Sequence, residues 1–328
     1  MPKKSNIIDE RDRRILVELD KNARQTDSEI AKKIGTSKQV VNYRVQKLVS
    51  DGIISNFYTI INTGKLGFNS YYLFLQLEKL NKQKEIELLK KITELDYVGW
   101  LVSGTGRWDA IALIYANSIK TFNDSLNQLI NLCGENLHEY NFTTLISAEH
   151  ISYKFLGEKR DLHSVRQTEK EKPRELDATD VKILEEISQN SRQPITIIAQ
   201  KTKIPVHVVN YHLKKLIKDK IIEGFKPKIN VNKLGVQWHL LLIQFQQSSE
   251  ERKQKFINYC KQHSKIYYVT STIGAYNLML DIHVKSTEEF KGVLLDLKEK
   301  YSDVIKIYES IIIFNEYKIS YFPRNLIT

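Results

Sequence analysis

The spacing of apolar residues predicts three short helices at the start of the chain. Ile15 and Leu19 lie on one apolar stripe, Asp9 can cap the first helix, and Gly52 suits the end of the third. The predicted helices cover residues 9–21, about 28–34, and 38–50. A short helix, a glycine-containing turn and a further helix are typical of a helix-turn-helix unit.

The third predicted helix separates an apolar face from a polar one. Val41, Val45 and Leu48 share the apolar face at helical spacing. The opposite face carries Gln39, Asn42, Tyr43 and Gln46, and the cations Lys38, Arg44 and Lys47 lie on its flanks. Amides can read base edges in the major groove, while cations neutralise phosphates. The alternative is an ordinary solvated face on a plain three-helix unit.

Alternating and continuous apolar runs after residue 53 predict a sheet with helices. The predicted strands are 53–62, 71–77, 97–103, 108–115 and 137–155, and the predicted helices are 84–95 and 122–132. After the first strand, this order is βαββαβ, the ferredoxin-like pattern. Such an open sheet has exposed edges, so we expect it to pair with another sheet.

The whole pattern occurs twice. A shift of 168 positions places Ile15-Leu16 on Ile183-Leu184 and Gly106 on Gly274 without a gap. We therefore predict an α+β protein in which two helix-turn-helix units each precede a ferredoxin-like domain, the two copies pairing within one chain. The predicted boundaries are 1–62 and 63–156 for copy one, 157–175 for a charged flexible linker, and 176–230 and 231–328 for copy two.

Copy two departs from copy one at its reading helix and turns. Its predicted outward face carries His207, Asn210, Tyr211 and Lys214, with His212 and Lys215 on the flanks. Pro205 replaces the capping Ser37, and Lys203 and Lys220 replace Gly35 and Gly52. The turns must differ or carry strain. Because the two outward faces differ, we expect the two copies to prefer different half-sites.

Charge and cysteine content narrow the function. A formal net charge of +11 and a pI of about 9.3 favour a polyanionic partner, here double-stranded DNA, although a lysine-rich solubility surface would look the same. Cys133 and Cys260 occupy non-equivalent places, which argues against structural zinc and disulfides. No secretory or membrane-spanning segment is recognised. We expect a cytoplasmic protein with no metal, cofactor or catalytic residue.

The two-part copy resembles the Lrp/AsnC family of feast-famine transcription regulators. The matching motifs are Asp9-x-x-Asp12-x-x-Ile15-Leu16, Arg24, Ile30-Ala31, Ser37-x-x-x-Val41-x-x-Arg44-Val45-x-x-Leu48 and Gly52-Ile53-Ile54. Thr105-Gly106-Arg107-Trp108-Asp109 resembles the family's Thr-Gly-x-Tyr-Asp loop. The resemblance implies winged helix-turn-helix units that bind DNA, and RAM-type sheet domains that dimerise.

The resemblance also implies an amino-acid or related effector beside this loop. In copy one its residues are Ser103, Thr105, Gly106 and Asp109. Copy two has Ile273 and Asn277 in place of the loop's Thr and Asp. We therefore expect at most one amino-acid site per chain. The alternative is that Gly106 only turns a hairpin and that Asp109 only caps it.

The sequence is also compatible with two other functions. The family's fold also occurs in sirohaem decarboxylases, which can be fused pairs of the same domains. Neither loop segment, Trp100–Ser103 or Tyr268–Ser271, carries the His or Arg expected of such an enzyme. No Ser/His/Asp, phosphate-loop or metal-spaced motif is present either, so we predict a non-enzyme. A sequence-blind architectural DNA-binding protein is the other alternative.

Overall fold

The computed structural model describes residues 7–157, 165–168 and 173–323. Copy one contains α1 (Glu10–Lys21), α2 (Asp27–Ile34), α3 (Lys38–Ser50), β1 (Ile54–Ile61), β2 (Asn69–Leu77), α4 (Lys82–Thr93), β3 (Val98–Thr105), β4 (Ala110–Ala116), α5 (Ile119–Cys133) and β5 (Leu137–His150). A short strand β6 (Val165–Thr168) follows. Copy two contains α6 (Ala178–Gln189), α7 (Ile195–Thr202), α8 (Val206–Lys218), β7 (Ile222–Ile229), β8 (Gln237–Phe245), α9 (Glu250–Gln262), β9 (Ile266–Gly274), β10 (Leu278–Val284), α10 (Thr287–Tyr301) and β11 (Ile305–Ile319).

The helix starts follow the predicted capping chemistry. Asp9 and Asp12 form a reciprocal capping box at α1, and Thr26 and Glu29 form another at α2. The Ser37 side chain accepts a hydrogen bond from the third residue of α3. Pro205, at the equivalent place before α8, makes no side-chain cap. The two copies therefore share helix positions but not the same terminal hydrogen bonds.

The sheets of the two copies close into one barrel. Among the described residues, nine strands lie in the order β2-β4-β3-β11-β8-β10-β9-β5-β6, and β2 also pairs with β5. The ring closes because the long strands β5 and β11 each pair along one half with their own copy and along the other half with the opposite copy. The exposed sheet edges expected from the sequence therefore pair with the other repeat.

The barrel strands are apolar on both faces because both faces are covered. Tyr72 and Phe74 of β2 point to the barrel interior, where they pack with residues such as Trp108 and Met279. Leu73 of the same strand packs outward beneath α4 and α5. Copy two repeats this arrangement beneath α9 and α10. This double burial explains the near-continuous apolar strands of the sequence.

The two helix-turn-helix units form a single further body. Strands β1 and β7, the wings of the two units, pair as an antiparallel ribbon with Phe57 opposite Pro227. One continuous apolar core contains Ile15 and Leu19 from copy one together with Ile183 and Ile187 from copy two. The two units therefore do not hold separate cores.

The predicted flexible linker needs correction. Val165–Thr168 pairs antiparallel with Ser147–His150 as strand β6, so this part of the stretch is ordered by backbone hydrogen bonds. Arg174 also donates its backbone N–H to the carbonyl of Lys65 at 2.8 Å. Residues 158–164 and 169–172 lie outside the described residues.

Two lysines occupy turns that favour glycine. Lys203 and Lys220 both have φ of +59°, close to the +70° and +67° of Gly35 and Gly52 in copy one. The turns therefore keep the same shape, and the lysines carry the strain. A left-handed conformation costs a non-glycine residue roughly 1–2 kcal/mol.

Lys203→Gly and Lys220→Gly are each expected to raise the free energy of unfolding by about 1 kcal/mol. Urea denaturation monitored by circular dichroism measures the gain. Gly35→Lys is the matched control, because nothing lies within 4 Å of a Cβ built at Gly35 and only backbone strain is added. This control should lose about as much as Lys203→Gly gains. An unchanged midpoint in all three variants would contradict the strain.

Candidate nucleic-acid interface

The third helix of copy one exposes most of the predicted reading face. Val41, Val45 and Leu48 are buried. The predicted reading residues Lys38, Gln39, Asn42, Tyr43, Gln46 and Lys47 are exposed. Tyr43 keeps 66% of its surface exposed, far more than a core aromatic. An aromatic ring, three amides and two cations thus share a free helix surface, which can contact base edges and phosphates.

Two predicted reading residues of α3 also have partners within the protein. Asn42 donates from Nδ2 to Asp27 Oδ2 at 2.9 Å. Arg44 lies between Asp9 and Asp12, with Nη1 within 2.7 Å of an oxygen of each. These hydrogen bonds raise the pKa of the Arg44 guanidinium. Arg44, which the sequence predicts on the flank of the DNA-reading face, therefore also ties α3 to the start of α1.

The third helix of copy two is similar but less uniform. His207, Tyr211 and Lys214 are exposed, and Tyr211 keeps 64% of its surface free. Asn210 and Lys215 are half-buried. The two reading surfaces therefore differ in the exposure of equivalent residues as well as in residue type.

A histidine replaces the Arg44 ion pair in copy two. His212 Nδ1 lies 2.8 Å from Asp180 Oδ1 and 3.9 Å from Asp177 Oδ2. One ligand atom from each of these three residues lies within 4.8 Å of the others, so the group could hold a metal ion. His212 joins α8 to the start of α6, as Arg44 joins α3 to the start of α1 in copy one.

The two units are clamped to each other by a pair of equivalent arginines. Arg24 donates to the carbonyls of Ser191 and Gln193 at 2.6 and 3.1 Å. Arg192 donates to the carbonyls of Ala23 and Gln25 at 2.6 and 2.9 Å. Each guanidinium also lies over a phenylalanine of the opposite unit's wing ribbon, Phe225 for Arg24 and Phe57 for Arg192.

This clamp was missed from the sequence. Arg24 and Arg192 occupy equivalent positions in the two copies, and this equivalence was the sign in the sequence that they share a role. The reciprocal contacts therefore join the helix-turn-helix unit that carries α3 to the unit that carries α8.

A buried ion pair joins the same two units. Lys226 Nζ on β7 lies 2.9 Å from Asp20 Oδ1 on α1, and both side chains are at least 97% buried. Asp20 also accepts the backbone N–H of Tyr153 at 3.0 Å, from the segment that follows β5. This contact, also unforeseen from the sequence, connects a reading unit with the wing ribbon and the barrel.

The loop of copy one is packed against the other copy. Gly106 has a positive φ, and a Cβ there would lie 2.6 Å from the Ser310 carbonyl on β11, so only glycine fits. Ser103 is buried, and Thr105 is exposed. Asp109 Oδ2 accepts the backbone N–H of Leu77 at 2.7 Å. The four predicted effector residues therefore lie on one hairpin, and one oxygen of the carboxylate is used by the fold.

The loop of copy two makes the same hydrogen bond without a charge. Asn277 Oδ1 accepts the backbone N–H of Phe245 at 2.8 Å, the position equivalent to Leu77. Trp108 and Tyr276, equivalent residues in the two loops, meet in the barrel core through an Nε1–Oη hydrogen bond of 2.7 Å. An asparagine side chain can therefore accept the same backbone hydrogen bond that Asp109 accepts in copy one.

No helix in the described part of the chain is both long enough and apolar enough to cross a membrane.

A winged helix-turn-helix DNA-binding family profile matches residues 8–55 and 176–223, one unit in each copy. The chain is 34% identical over 124 residues to the HTH-type transcriptional regulator LrpA of Pyrococcus horikoshii, covering 38% of this chain and 86% of that protein. It is 33% identical over 124 residues to the HTH-type transcriptional regulator Ptr1 of Methanocaldococcus jannaschii, covering 38% and 82%.

A solved structure matches both copies together. The crystal structure of the siroheme decarboxylase NirDL superimposes with a TM-score of 0.62 over 96% of this chain and 94% of that chain, at 16% identity. At this identity the likeness shows a common tandem fold and nothing about activity. The sequence relatives are regulators that correspond in length to one copy. The chain belongs to the Lrp/AsnC family of helix-turn-helix transcriptional regulators, in a tandem form.

Proposed function

We propose that this chain is a sequence-specific DNA-binding transcriptional regulator that acts as an intrachain pseudo-dimer. The observation that supports the proposal is that the β1–β7 ribbon and the reciprocal Arg24 and Arg192 contacts join the two units, whose helices α3 and α8 both expose polar surfaces. The net charge of +11 supports a polyanionic partner. Such a regulator acts where the DNA is, in the cytoplasm of a prokaryote.

The proposed mechanism divides the work between two kinds of residue. Asn42 and Tyr43 on α3, and Asn210 and Tyr211 on α8, would face base edges in successive major grooves. Lys47 on α3 and the equivalent Lys215 on α8 would contact phosphates and add affinity without sequence preference. Because His207 and Lys214 stand where copy one has Gln39 and Gln46, the two half-sites would differ.

Asn42→Ala is expected to cost roughly 1–3 kcal/mol of binding free energy at the preferred site and little on random DNA. The Nδ2 bond to Asp27 does not consume the amide oxygen, so Asn42 keeps an acceptor for a base edge. Lys47→Ala should weaken binding to all sequences alike and reduce the salt slope by about 1. Fluorescence anisotropy with both DNAs at several salt concentrations measures these effects.

Asn123→Ala, an exposed amide on α5 far from both reading helices along the chain, is the control and should change neither affinity. Equal losses on specific and random DNA with Asn42→Ala would remove its base-reading role. A flat preference for the wild-type chain would favour the architectural alternative instead.

This chain shares its fold with NirDL, but we do not propose that it shares the activity of NirDL. The relatives recognised by sequence are regulators, and we infer that this chain is not an enzyme. A haem-type absorption spectrum in the purified protein would revive the decarboxylase alternative.

The amino-acid effector of copy one remains a prediction. Asp109 has a second carboxylate oxygen that could hold an ammonium group, beside Ser103, Thr105 and Gly106. We expect at most one amino acid bound per chain. Calorimetry with an amino-acid panel tests this, and Asp109→Asn should abolish binding while keeping the Leu77 hydrogen bond, as Asn277 does in copy two. Two equal sites per chain, or binding unchanged by Asp109→Asn, would contradict the prediction.

A further inference from the structure

A cavity of about 80 Å³ lies where the barrel meets the wing ribbon. The ribbon contributes Tyr58 from β1 and Lys228 from β7, and the barrel contributes residues of both copies, among them Trp100, Trp238 and Asp281. A water molecule needs roughly 10–15 Å³ in this measure, so the space suits a ligand of about five to eight non-hydrogen atoms. The cavity is separate from the two Gly-loop hairpins and from both reading helices.

The charged groups of the cavity leave a net negative charge when all are ionised. Glu316 accepts the Trp100 Nε1–H at 2.7 Å and pairs with Lys228 at 3.1 Å. Asp281 accepts the Trp238 Nε1–H at 2.6 Å, and Lys228, the lysine among the lining residues, pairs with Glu316 and not with Asp281. One carboxylate is therefore balanced by a lysine and the other only by an indole N–H. A buried carboxylate without a cation favours a positively charged ligand.

Two histidines line the cavity in neutral form. Burial lowers the pKa of His150 well below its usual range, and lowers that of His283 to about 3. Neither Nδ1 atom has a hydrogen-bond partner among the described residues, although both rings are at least 95% buried. A buried polar atom without a partner costs free energy. Both imidazoles line the cavity, so rotation of either ring toward a ligand hydroxyl or amine would give its unpaired nitrogen a partner.

The remaining walls are aromatic faces. Trp100 and Trp238 lie 6.3 Å apart at 45°, Tyr72 lies edge-on to Trp100 at 6.1 Å, and Tyr268 packs against His150 at 4.0 Å. Indole and phenol faces attract cations through their quadrupoles, most strongly where water is excluded. The cavity therefore combines aromatic walls with a carboxylate that has no ion-pair partner and with imidazole nitrogens that have no hydrogen-bond partner among the described residues. This combination suits a small organic cation.

We propose that this cavity binds a small organic ammonium ion bearing a hydroxyl or amine group, of about the size of choline. The ammonium would lie among the aromatic faces near Asp281, and the hydroxyl would reach an imidazole Nδ1. Because Tyr58 and Lys228 belong to the wing ribbon, occupancy would also influence the placement of α3 and α8. This regulatory part rests on the proposed DNA-binding function, whereas the site itself does not.

Calorimetric titration of the full chain with choline tests the site. Burial raises the pKa of Asp281 to about 7, so the titration belongs at about pH 8, where its carboxylate is mainly ionised. The matched probe is 3,3-dimethylbutan-1-ol, which has the shape of choline but no charge. We expect one choline per chain, bound at least tenfold more tightly than the neutral alcohol. Equal binding of the two probes, or no heat up to about 10 mM choline, would overturn the proposal.

Asp281→Asn is expected to weaken choline binding about tenfold or more, since it removes the charge and keeps an acceptor for Trp238. Asp124→Asn, an exposed carboxylate on α5, is the control and should bind as the wild type does. Undiminished binding by folded Asp281→Asn would contradict the assignment. If that variant does not fold, the comparison of choline with its neutral isostere on the wild-type chain decides.

A DNA titration with and without choline separates the two proposals. A change in DNA affinity of threefold or more is expected on saturation with choline. Choline binding with unchanged DNA affinity would overturn the coupling to the ribbon. Choline binding by a chain that binds no DNA would overturn the proposed function and support the site alone.

Discussion

Replacing Lys226 with alanine is expected to lower the free energy of unfolding by about 3–5 kcal/mol. Its Nζ is paired with Asp20 at 2.9 Å, and the alanine variant leaves the Asp20 carboxylate charged and buried. Among the described residues, the Tyr153 N–H is then the one hydrogen-bond donor left to that carboxylate. Breaking a buried pair from one side is costly because nothing replaces the lost partner in a low-dielectric interior. Chemical denaturation measures the loss.

The double variant Asp20→Asn with Lys226→Met is the informative control. It removes both charges and keeps the size of both side chains, so it should recover most of the stability lost by Lys226→Ala. Lys255→Ala, which breaks the exposed pair with Glu251, should leave the denaturation midpoint unchanged. A Lys226→Ala chain as stable as the wild type would show that this contact does not hold the reading units to the barrel.

Acid should destabilise the wild-type chain in part through the buried His283. Its ring is stacked against Tyr267 at 5.2 Å, and burial lowers its pKa to about 3. An unfolded histidine titrates near 6.5. Above this value neither state binds the proton, and no stability is lost. Between about pH 6.5 and 3 only the unfolded state binds it, so stability falls as pH falls, by on the order of 4 kcal/mol at the acid end.

His283→Phe should therefore flatten the acid limb of the stability curve. Measuring the free energy of unfolding at several values between about pH 7 and 4 gives the slope. His138→Phe, at an exposed histidine beside Glu78, is the control and should leave the slope close to that of the wild type. Parallel wild-type and His283→Phe curves over this range would mean that His283 is not held neutral by burial.

Local chemistry made the helices and turns predictable. Asp9 with Asp12, and Ser37 before α3, are capping signals that depend on neighbours a few residues away. The strain expected at Lys203 follows from the repeat, because the equivalent residue is a glycine in a left-handed turn. The family resemblance, carried by several motifs at once, added the order of the domains.

Long-range contacts account for what could not be predicted. The β3–β11 and β5–β9 registers depend on how two sheets meet, which no local pattern encodes. The spacing of Arg44 puts it on the flank of α3, which predicts a phosphate contact. Its pairing with Asp9 and Asp12 depends on the packing of α3 on α1.

The sequence also could not predict that the buried polar residues of the cavity lie together. Asp281 and His283 alternate with apolar neighbours on β10 in a strand that is buried on both faces. Sequence periodicity therefore gave no sign that their side chains share a cavity with Lys228 and Glu316. Only the closure of the barrel against the wing ribbon brings these residues together.

We propose that one chain presents two unlike reading helices, α3 and α8, as a fixed pair. Selection of binding sites from a random double-stranded library by the full chain, with the stoichiometry on the selected site measured by native mass spectrometry, tests it most directly. We predict two different half-sites with centres about 10–10.5 base pairs, or a multiple of that distance, apart, occupied by one chain. A perfect palindrome bound by two chains, or a library that shows no enrichment, would contradict it.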